Sequence, residues 1–348
     1  MAGEGSVREI SYAEALAEGL REVLAADARV HLIGSAFFGL TQHRALMARV
    51  RGEFPDRITD PPIAELGFCG LAIGAALAGL RPVVDLGTAS FVFQAWPQIV
   101  NEAASARYMG GGQHAVPVVF HLLHGIRGGG AAQHSHSPQA MFWNSPGLEI
   151  VLPATPADAK GLLKTAVASD NPTIFVSHPR LFDVKGPVPD GDGHVPFGRA
   201  VVRRPGRDVT IVATSLMVQR SLAAADLLSG EGIDVEVVDP RTLVPLDREA
   251  ILGSVGRTGR LVVVDECHLS CGVAAEIAAL AAQHAFGHLR APVVRVATAD
   301  VPIPFSRPLE EFVEPTAEKI VAAVREALGT SRPAKRAGRR GRPRGAGR

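Results

Sequence analysis

The chain is 348 residues long, 47% hydrophobic and 20% charged, with a formal net charge of +1, a composition typical of a globular protein large enough for two domains. Its three cysteines are too few for a disulfide framework and indicate a reducing compartment, so we expect a cytoplasmic protein. The N-terminus has no apolar signal segment, and the apolar run at residues 66–80 has only 15 residues, so neither a secretory leader nor a membrane span is expected.

Short runs rich in β-branched residues alternate with alanine-rich stretches through the first half of the chain. Strands that alternate with helices predict a parallel sheet covered by helices. Residues 185–198 are rich in Pro, Gly and Asp and lack periodicity, which predicts a linker. The predicted strands before it lie at residues 30–34, 82–87, 116–123, 149–154 and 173–178.

The alternation resumes after the linker. Strands are predicted at residues 209–215, 234–239, 260–266 and 292–297, and helices at about 217–231 and 272–286. We therefore predict an α/β fold of two domains with mainly parallel sheets flanked by helices. The predicted units are a first domain (1–190), a linker (191–200), a second domain (201–330) and a tail (331–348).

The tail holds eight of the 36 basic residues and no acidic residue, which leaves 28 basic and 35 acidic groups, about −7, in the rest of the chain. Such a low-complexity segment cannot bury a core and is expected to be disordered. Its RRGRPRG string resembles an AT-hook, but the interpretation we favour is a solvated tail with weak affinity for polyanions. A nucleic-acid-binding protein driven by the tail is therefore one functional alternative.

The common phosphate-binding and metal-binding patterns are missing. Neither G-x-x-x-x-G-K-[ST] nor G-x-G-x-x-G between a strand and a helix occurs. Cys267 and Cys271 form a CHLSC string, but zinc needs four ligands and no second pair lies nearby, so no metal site is predicted. His134 and His136 follow the glycines at 128–130 and a predicted strand, where open α/β sheets usually bind ligands.

One carboxylate, Glu65, stands at the head of the apolar run, which we expect to form a wholly buried helix. Partial desolvation favours the protonated form of a carboxyl, which is a property of acid–base groups. The alternative is a carboxylate placed at a helix N-terminus by the helix dipole alone. The residues by themselves leave both explanations open.

Five blocks together resemble the β subunit of the thiamine-diphosphate-dependent 2-oxo acid dehydrogenase E1 component, in the transketolase-like superfamily. The first three are PPIAELGFCGLAIGAALAGLRPVVD, QIVNEAASARYMGGGQ and GGGAAQHSHSPQAMFWNSPGLEIVLPATPADAKGLL. The others, GIDVEVVDPRTLVPLDREAI and ADVPIPFSRPLEEFVEPTAEKIVAAVREAL, resemble the C-terminal domain shared with transketolases. The likeness runs from about residue 8 to 328 and implies a pyrimidine-binding first domain and a transketolase C-terminal-like second domain.

The resemblance implies roles for three residues. Glu65 matches the glutamate that hydrogen-bonds N1′ of the cofactor's aminopyrimidine and promotes the imino tautomer that deprotonates thiazolium C2. Phe91 falls where the family has an aromatic ring stacked on the aminopyrimidine. His134 matches the histidine used in substrate handling and in reductive acylation of the lipoyl group. His136 stands where the family more often has Gln, and its role is left open.

The implied cofactor is thiamine diphosphate with Mg²⁺, yet the chain lacks the family's diphosphate motif. That motif is G-D-G followed roughly 25 to 30 residues later by Asn, because Mg²⁺ requires oxygen ligands. The chain's GDG lies in the linker at residues 191–193, and Asn101, Asn144 and Asn171 all precede it. The resemblance therefore implies an E1 α subunit that completes the site in an α₂β₂ tetramer, with E2 dihydrolipoyl acyltransferase as a further partner.

Other positions match the family less well. A K⁺ site of some relatives is built from carbonyls around TAVASDNP, where Ala166 and Asn171 match and Ser169 replaces an acid, so K⁺ is left open. The family's G-E-D-V is GSAF at residues 34–37, and its R-G-P-x-G is HLLHG at 121–125. Since those loops face the active site in the family, they leave the identity of the substrate open.

The resemblance implies decarboxylation of a 2-oxo acid, of the pyruvate or branched-chain type, followed by acyl transfer to E2-bound lipoamide. An acetoin dehydrogenase β subunit or a thiamine-diphosphate carboligase on the same scaffold is the alternative among enzymes. No membrane partner is expected.

Overall fold

A computed structural model describes residues 7–34, 36–39, 41–191 and 193–329. The predicted tail, Ser35 of the GSAF segment and Asp192 of the GDG string lie outside these ranges. The β-strands are β1 (Val7–Ser11), β2 (Val30–Ile33), β3 (Ile58–Thr59), β4 (Arg81–Thr88), β5 (Val119–Leu123), β6 (Glu149–Val151), β7 (Thr173–Ser177), β8 (Lys185–Pro189), β9 (Val201–Arg204), β10 (Val209–Ala213), β11 (Val235–Asp239), β12 (Thr242–Val244), β13 (Leu261–His268) and β14 (Val294–Thr298). The α-helices are α1 (Tyr12–Ala26), α2 (Ala45–Glu53), α3 (Glu65–Leu77), α4 (Ala104–Met109), α5 (Gln139–Trp143), α6 (Pro156–Ala168), α7 (Leu216–Ser229), α8 (Arg248–Thr258), α9 (Val273–His284), α10 (Arg307–Val313) and α11 (Ala317–Ala327).

The first sheet has the strand order β12-β6-β7-β5-β4-β2-β3. Its pairs are parallel from β6 to β3, and the central strands β5 and β7 are buried along their whole length. Strands covered on both faces read as continuous apolar runs, which is why the sequence revealed them. Parallel pairing brings the carboxyl ends of β2, β4 and β5 to one edge of the sheet.

Helix α1 shows how local sequence sets these elements. Ser11 caps its N-terminus by accepting from Glu14 N–H, and the Glu14 carboxylate accepts from Ser11 N–H in return. This reciprocal pair satisfies two backbone donors that the helix itself leaves unpaired. The apolar face of α1, with Leu16 and Leu20 fully buried, packs against α6 on one side of the first sheet.

The second sheet has the order β14-β13-β10-β11-β9, with β9 as its antiparallel member. Strands β10 and β11 are buried throughout, and helices α7, α8, α9 and α11 pack against the sheet's strands. The predicted class, an α/β fold with mainly parallel sheets flanked by helices, is confirmed.

Two strands depart from the predicted organisation. Residues 185–198 were expected to be a linker without regular structure, but β8 occupies residues 185–189 and pairs antiparallel with β1. Only Val188 of β8 is buried, so no periodic apolar pattern marked it. Strand β12, from the second half of the chain, pairs antiparallel with β6 and extends the first sheet. The domain boundaries drawn from sequence stay a prediction.

The sequence predicts a wholly buried α3, and in the single chain this prediction is wrong. Its inner side packs Phe68 and Ile73 into the core, whereas Leu66, Leu71 and Leu77 are 55%, 58% and 49% exposed. The sequence of α3 is apolar on every side, and such a helix is normally covered all round. We call Leu66, Leu71 and Leu77 the outer face of α3; an exposed apolar face of this kind usually marks a contact surface.

Among the helices of the described ranges, none has the length and apolar character needed to cross a membrane.

Candidate active site

A cavity of about 890 Å³ opens where β2, β4 and β5 end. Gly34 follows β2, Thr88 ends β4 and Leu123 ends β5, and all three line the cavity. Strand ends of open α/β sheets are the usual place for ligands. Three further lining residues are those predicted from the sequence, Glu65, Phe91 and His134. The structure therefore brings together residues that are 26 and 43 positions apart in the chain.

Glu65 is the first residue of α3 and is half-buried at the cavity wall. Ala64 precedes it and provides no side-chain cap, so the carboxylate stands beside unpaired N–H groups at the positive end of the helix. Within the described ranges, the Glu65 carboxylate makes no hydrogen bond and no ion pair with another side chain. An acceptor that lacks a protein partner and lines a cavity can bind a ligand donor.

Phe91 and His134 meet on another part of the wall. Phe91 lies in the 3₁₀ turn Ala89–Ala95 that follows β4, and 36% of its surface is exposed. His134 ends the short turn Ala132–His134, and its ring stands perpendicular to that of Phe91, with centroids 5.5 Å apart. This edge-to-face contact leaves the exposed His134 imidazole at the mouth of the cavity.

His136, whose role the sequence left open, is held by other contacts. Its Nδ1 lies 2.8 Å from Ser90 Oγ, and its ring packs against Phe93 with centroids 5.2 Å apart. Burial and the nearby His268 lower the pKa of His136, so the ring is neutral near pH 7. We therefore interpret His136 as support for the turn that carries Phe91.

Asp85 is a lining residue that the sequence did not single out. It is buried within β4, three residues before the strand ends at Thr88, accepts from Gly87 N–H at 2.9 Å and lies 3.4 Å from His121 Nδ1. Within the described residues its second oxygen, Oδ2, is buried without a partner. Phe37 packs on His121 with ring centroids 5.0 Å apart. The two departures from the family pattern, GSAF and HLLHG, thus contact each other behind Asp85.

The expectation that the HLLHG segment faces the site holds for Leu123 alone. His121 and His124 are fully buried behind the cavity wall. His121 Nε2 lies 3.0 Å from Ser177 Oγ. His124 lies between two hydroxyls, Ser137 Oγ at 3.1 Å from Nδ1 and Ser215 Oγ at 3.0 Å from Nε2. The burial of His121 and His124 is explained by their hydroxyl partners and not by a contact with the cavity.

Residues 125–130 form a loop, here called the glycine loop, that the second half of the chain holds in place. Ile126 N–H donates to Glu266 Oε1 at 2.6 Å, and Gly129 N–H donates to Glu310 Oε1 at 2.9 Å. Both glutamates are buried. Arg127 lies between the two anchored residues and lines the cavity. The sequence hinted at this loop only through its glycines.

Glu266 and its neighbours form a buried charged group. His178 Nδ1 accepts from Arg180 N–H, and its Nε2 lies 3.0 Å from Glu266 Oε2. Burial opposes ionisation of Glu266, but its interaction with the adjacent His178 and the hydrogen bond that it accepts from Ile126 N–H lower its pKa to about 2. Burial and the neighbouring His178 lower the pKa of His124 to about 3, although Glu266 opposes this shift and the Arg127 cation adds to it.

A pH prediction follows for His124. An unfolded histidine titrates near pH 6.5, so between about pH 6.5 and 3 the unfolded chain binds a proton there that the folded chain does not. Stability conferred by neutral His124 is therefore lost as the pH falls through this window, by up to about 1.4 kcal/mol per unit. We expect His124→Asn to flatten the fall in melting temperature between pH 7 and 5. An unchanged slope, or the same flattening in the exposed control His288→Asn, would contradict this.

Within the described residues, no cluster of three or more His, Cys, Asp or Glu side chains could hold a metal ion. Cys267 is buried and Cys271 exposed.

Two family models match the chain. The model of the transketolase pyrimidine binding domain matches residues 8–183, and that of the transketolase C-terminal domain matches residues 198–320. Together they cover both sheets and the cavity.

Curated relatives are similar over most of the chain. The β subunit of acetoin:2,6-dichlorophenolindophenol oxidoreductase from Cupriavidus necator is 45% identical over 78% of this chain and 81% of its own length. The pyruvate dehydrogenase E1 component subunit beta of Rickettsia felis is 40% identical over 91% of this chain and 98% of its own. The mitochondrial subunit from Pisum sativum is 39% identical, with coverage of 94% and 93%.

A solved structure described as a split gene transketolase, inactive beta4 tetramer, superposes with a TM-score of 0.77 and 28% identity. The match covers 93% of this chain and 100% of that one.

Proposed function

This chain belongs to the family of β subunits of thiamine-diphosphate-dependent 2-oxo acid dehydrogenase E1 components. From that premise we propose that it acts with an E1 α partner to decarboxylate a pyruvate-type or branched-chain 2-oxo acid. The acyl group then passes to E2-bound lipoamide. The observation that carries the proposal is the single cavity that unites Glu65, Phe91 and His134. The family identified from sequence motifs is confirmed by these relatives.

The cavity suits the cofactor's aminopyrimidine ring. Its wall is largely apolar, with Ile63, Phe68 and Leu86, and the half-buried carboxylate of Glu65 interrupts it. Sites for small cofactors commonly combine an apolar wall with a few polar groups. When bound, thiamine diphosphate supplies a carbon nucleophile for the 2-oxo carbon and a sink for the electrons left by CO₂.

The residues of this chain divide the remaining work. We assign Glu65 to hold a proton shared with N1′ of the aminopyrimidine. Phe91 offers an apolar ring surface to the same heterocycle. His134, exposed at the mouth of the cavity, is placed to exchange a proton with the substrate or with the incoming acyl acceptor.

An E1 α partner in an α₂β₂ heterotetramer is part of the proposal. Two observations support it. The sequence lacks an Asn after its GDG string, so in this proposal Mg²⁺ and the diphosphate take ligands from another chain. The outer face of α3, an exposed apolar surface, begins beside Glu65. Among relatives, a split-gene transketolase β tetramer is described as inactive. A cytoplasmic location, based on the cysteine content, remains part of the proposal.

The proposal does not extend to K⁺. Arg81 Nη1 donates to the carbonyl oxygens of Val167 at 3.0 Å and Ser169 at 2.9 Å, and Arg81 Nη2 pairs with Asp170 at 2.7 Å. These carbonyls belong to the turn that the resemblance would give to the ion. A fixed guanidinium group therefore already supplies positive charge there.

Acetoin oxidation is the second candidate, because the Cupriavidus necator relative is 45% identical to this chain over 273 aligned residues. The test uses the chain co-expressed with its α partner, with pyruvate, 2-oxoisovalerate or acetoin as substrate. We expect CO₂ release from a 2-oxo acid and acylation of a lipoyl domain, followed by mass spectrometry. Turnover of acetoin without CO₂ release from either 2-oxo acid would refute the proposal.

His134→Ala is expected to slow acylation of the lipoyl domain by about 10²-fold, the scale of a positioned acid–base group. Because His134 is exposed at the cavity mouth, the dissociation constant of thiamine diphosphate should change little. Stopped-flow acylation and calorimetric cofactor titration of the heteromer measure the two effects. Gln133→Ala, at the exposed neighbouring position, is the matched control. Normal acylation by the His134 variant would leave this residue a structural role only.

A further inference from the structure

Arg127 is a cation of the cavity wall that the reaction described above does not use. It is half-buried, and its Nη2 donates to Thr88 Oγ1 at 2.6 Å. Its backbone neighbours are tied to the second half of the chain, Ile126 by Glu266 and Gly129 by Glu310. Backbone and side chain are therefore both fixed, which is the condition for a preorganised binding group.

No carboxylate of the described residues pairs with this guanidinium group. Of the two acids that hold the glycine loop, Glu266 lies 3.0 Å from His178 and Glu310 accepts from Gly129 N–H through Oε1, and neither forms an ion pair with Arg127. Burial lowers the pKa of Arg127, which shows that its charge is partly removed from water. An unpaired, partly desolvated cation is costly, and folded proteins rarely keep one without a ligand.

We propose that Arg127 binds the carboxylate of the 2-oxo acid substrate and so selects an anionic 2-oxo acid over a neutral carbonyl compound such as acetoin. The inference rests on the proposed function and adds to it the group that recognises the substrate class.

The chemistry of the guanidinium group favours a carboxylate. Arginine carries five N–H donors in a planar fork that matches the two oxygens of a carboxylate. Thr88 accepts from one nitrogen of Arg127, which orients the fork and leaves donors for a ligand. A Cβ atom at the adjacent Gly128 would have no other atom within 4 Å, so the wall beside Arg127 leaves room for a ligand carboxylate.

The proposed role predicts which kinetic constant changes. The carboxylate leaves as neutral CO₂, so Arg127 stabilises the bound substrate at least as strongly as the transition state. Loss of such a contact raises KM and leaves kcat nearly unchanged. A residue needed only for structure, or for the proton transfer assigned to Glu65, would instead lower kcat.

The test compares variants of the co-expressed heteromer on pyruvate and acetoin. We expect Arg127→Met to raise KM for pyruvate by about 10²-fold, as for removal of one partner from a desolvated charge pair. Arg127→Lys, which keeps the charge but not the fork, should raise it by about 10-fold. KM for acetoin and the dissociation constant of thiamine diphosphate should stay within about 2-fold of wild type. Arg207→Met, at a side chain that is 89% exposed, is the matched control.

A binding measurement separates this inference from the proposed function. Lactate carries the same carboxylate but cannot lose CO₂, so calorimetric titration reads recognition without turnover. Binding of lactate to wild type and its loss in Arg127→Met would support the inference even where no tested 2-oxo acid is decarboxylated. An unchanged KM for pyruvate and an unchanged lactate affinity in both Arg127 variants would overturn the inference. An equal rise in KM for acetoin, an equal loss of cofactor affinity, or the same changes in the Arg207 control would also overturn it.

Discussion

The isolated chain, purified without an E1 α partner, is expected to show no measurable decarboxylation of a 2-oxo acid and little binding of thiamine diphosphate with Mg²⁺. The cavity supplies Glu65 and Phe91 for the aminopyrimidine, but the sequence has no Asn after residues 191–193 to complete a diphosphate motif. A hard cation needs oxygen ligands that bridge protein and phosphate, and the proposal takes these from the α partner. Calorimetric titration and a CO₂-release assay measure both losses.

Co-expression with the α partner is the positive control and should restore both cofactor affinity and turnover. Mass determination of the restored species should give equal numbers of the two chains. The two-chain architecture would be wrong if the chain alone bound the cofactor tightly and decarboxylated pyruvate unaided.

Glu65→Gln in the restored heteromer is expected to leave folding intact and to lower turnover by at least about 10²-fold, the range of positioned acid–base groups. Glutamine preserves the size of the side chain but cannot hold the proton shared with N1′. Exchange of the cofactor C2 proton, followed by NMR, should slow in parallel with turnover. The melting temperature should change little, since a charge at a helix N-terminus contributes about 0.3–1 kcal/mol.

A matched control addresses the helix dipole as the alternative explanation of Glu65. Glu318 is an exposed acid in the first turn of α11, so Glu318→Gln makes the same change at another helix start. If the dipole were the only reason for Glu65, both variants would show a small loss of stability and normal exchange. Unchanged C2 exchange in Glu65→Gln would remove its catalytic assignment.

Sequence reasoning found what depends on local pattern. The runs that became β5 and β10 are largely apolar because both faces of those strands are covered, and this apolar character marked each one. Glu65 and His134 were found because they stand in dense motifs, PPIAELGF and AAQHSHS. Their place in one cavity follows from parallel strands that end at the same edge.

The features that sequence reasoning missed depend on contacts distant in the chain. No sequence motif marks Arg127. It is singled out by its hydrogen bond to Thr88, 39 positions earlier, and by the absence of a carboxylate partner among the described residues. The outer face of α3 was expected to be buried because an apolar run does not say whether its own chain or another covers it. Strand β8 escaped notice because its register is set by β1, at the other end of the first domain.

The pairing of β12 with β6 has a consequence for how the chain can be cut. A fragment that ends at residue 190, the boundary drawn from sequence, would lose β12 and leave β6 as a bare edge strand. Unpaired N–H and C=O groups along an edge recruit strands from other molecules, so such a fragment is prone to aggregate. The glycine loop would also lose Glu266 and Glu310, its two anchors. We therefore expect a truncation or a domain exchange of the first half to need residues 242–244 as well.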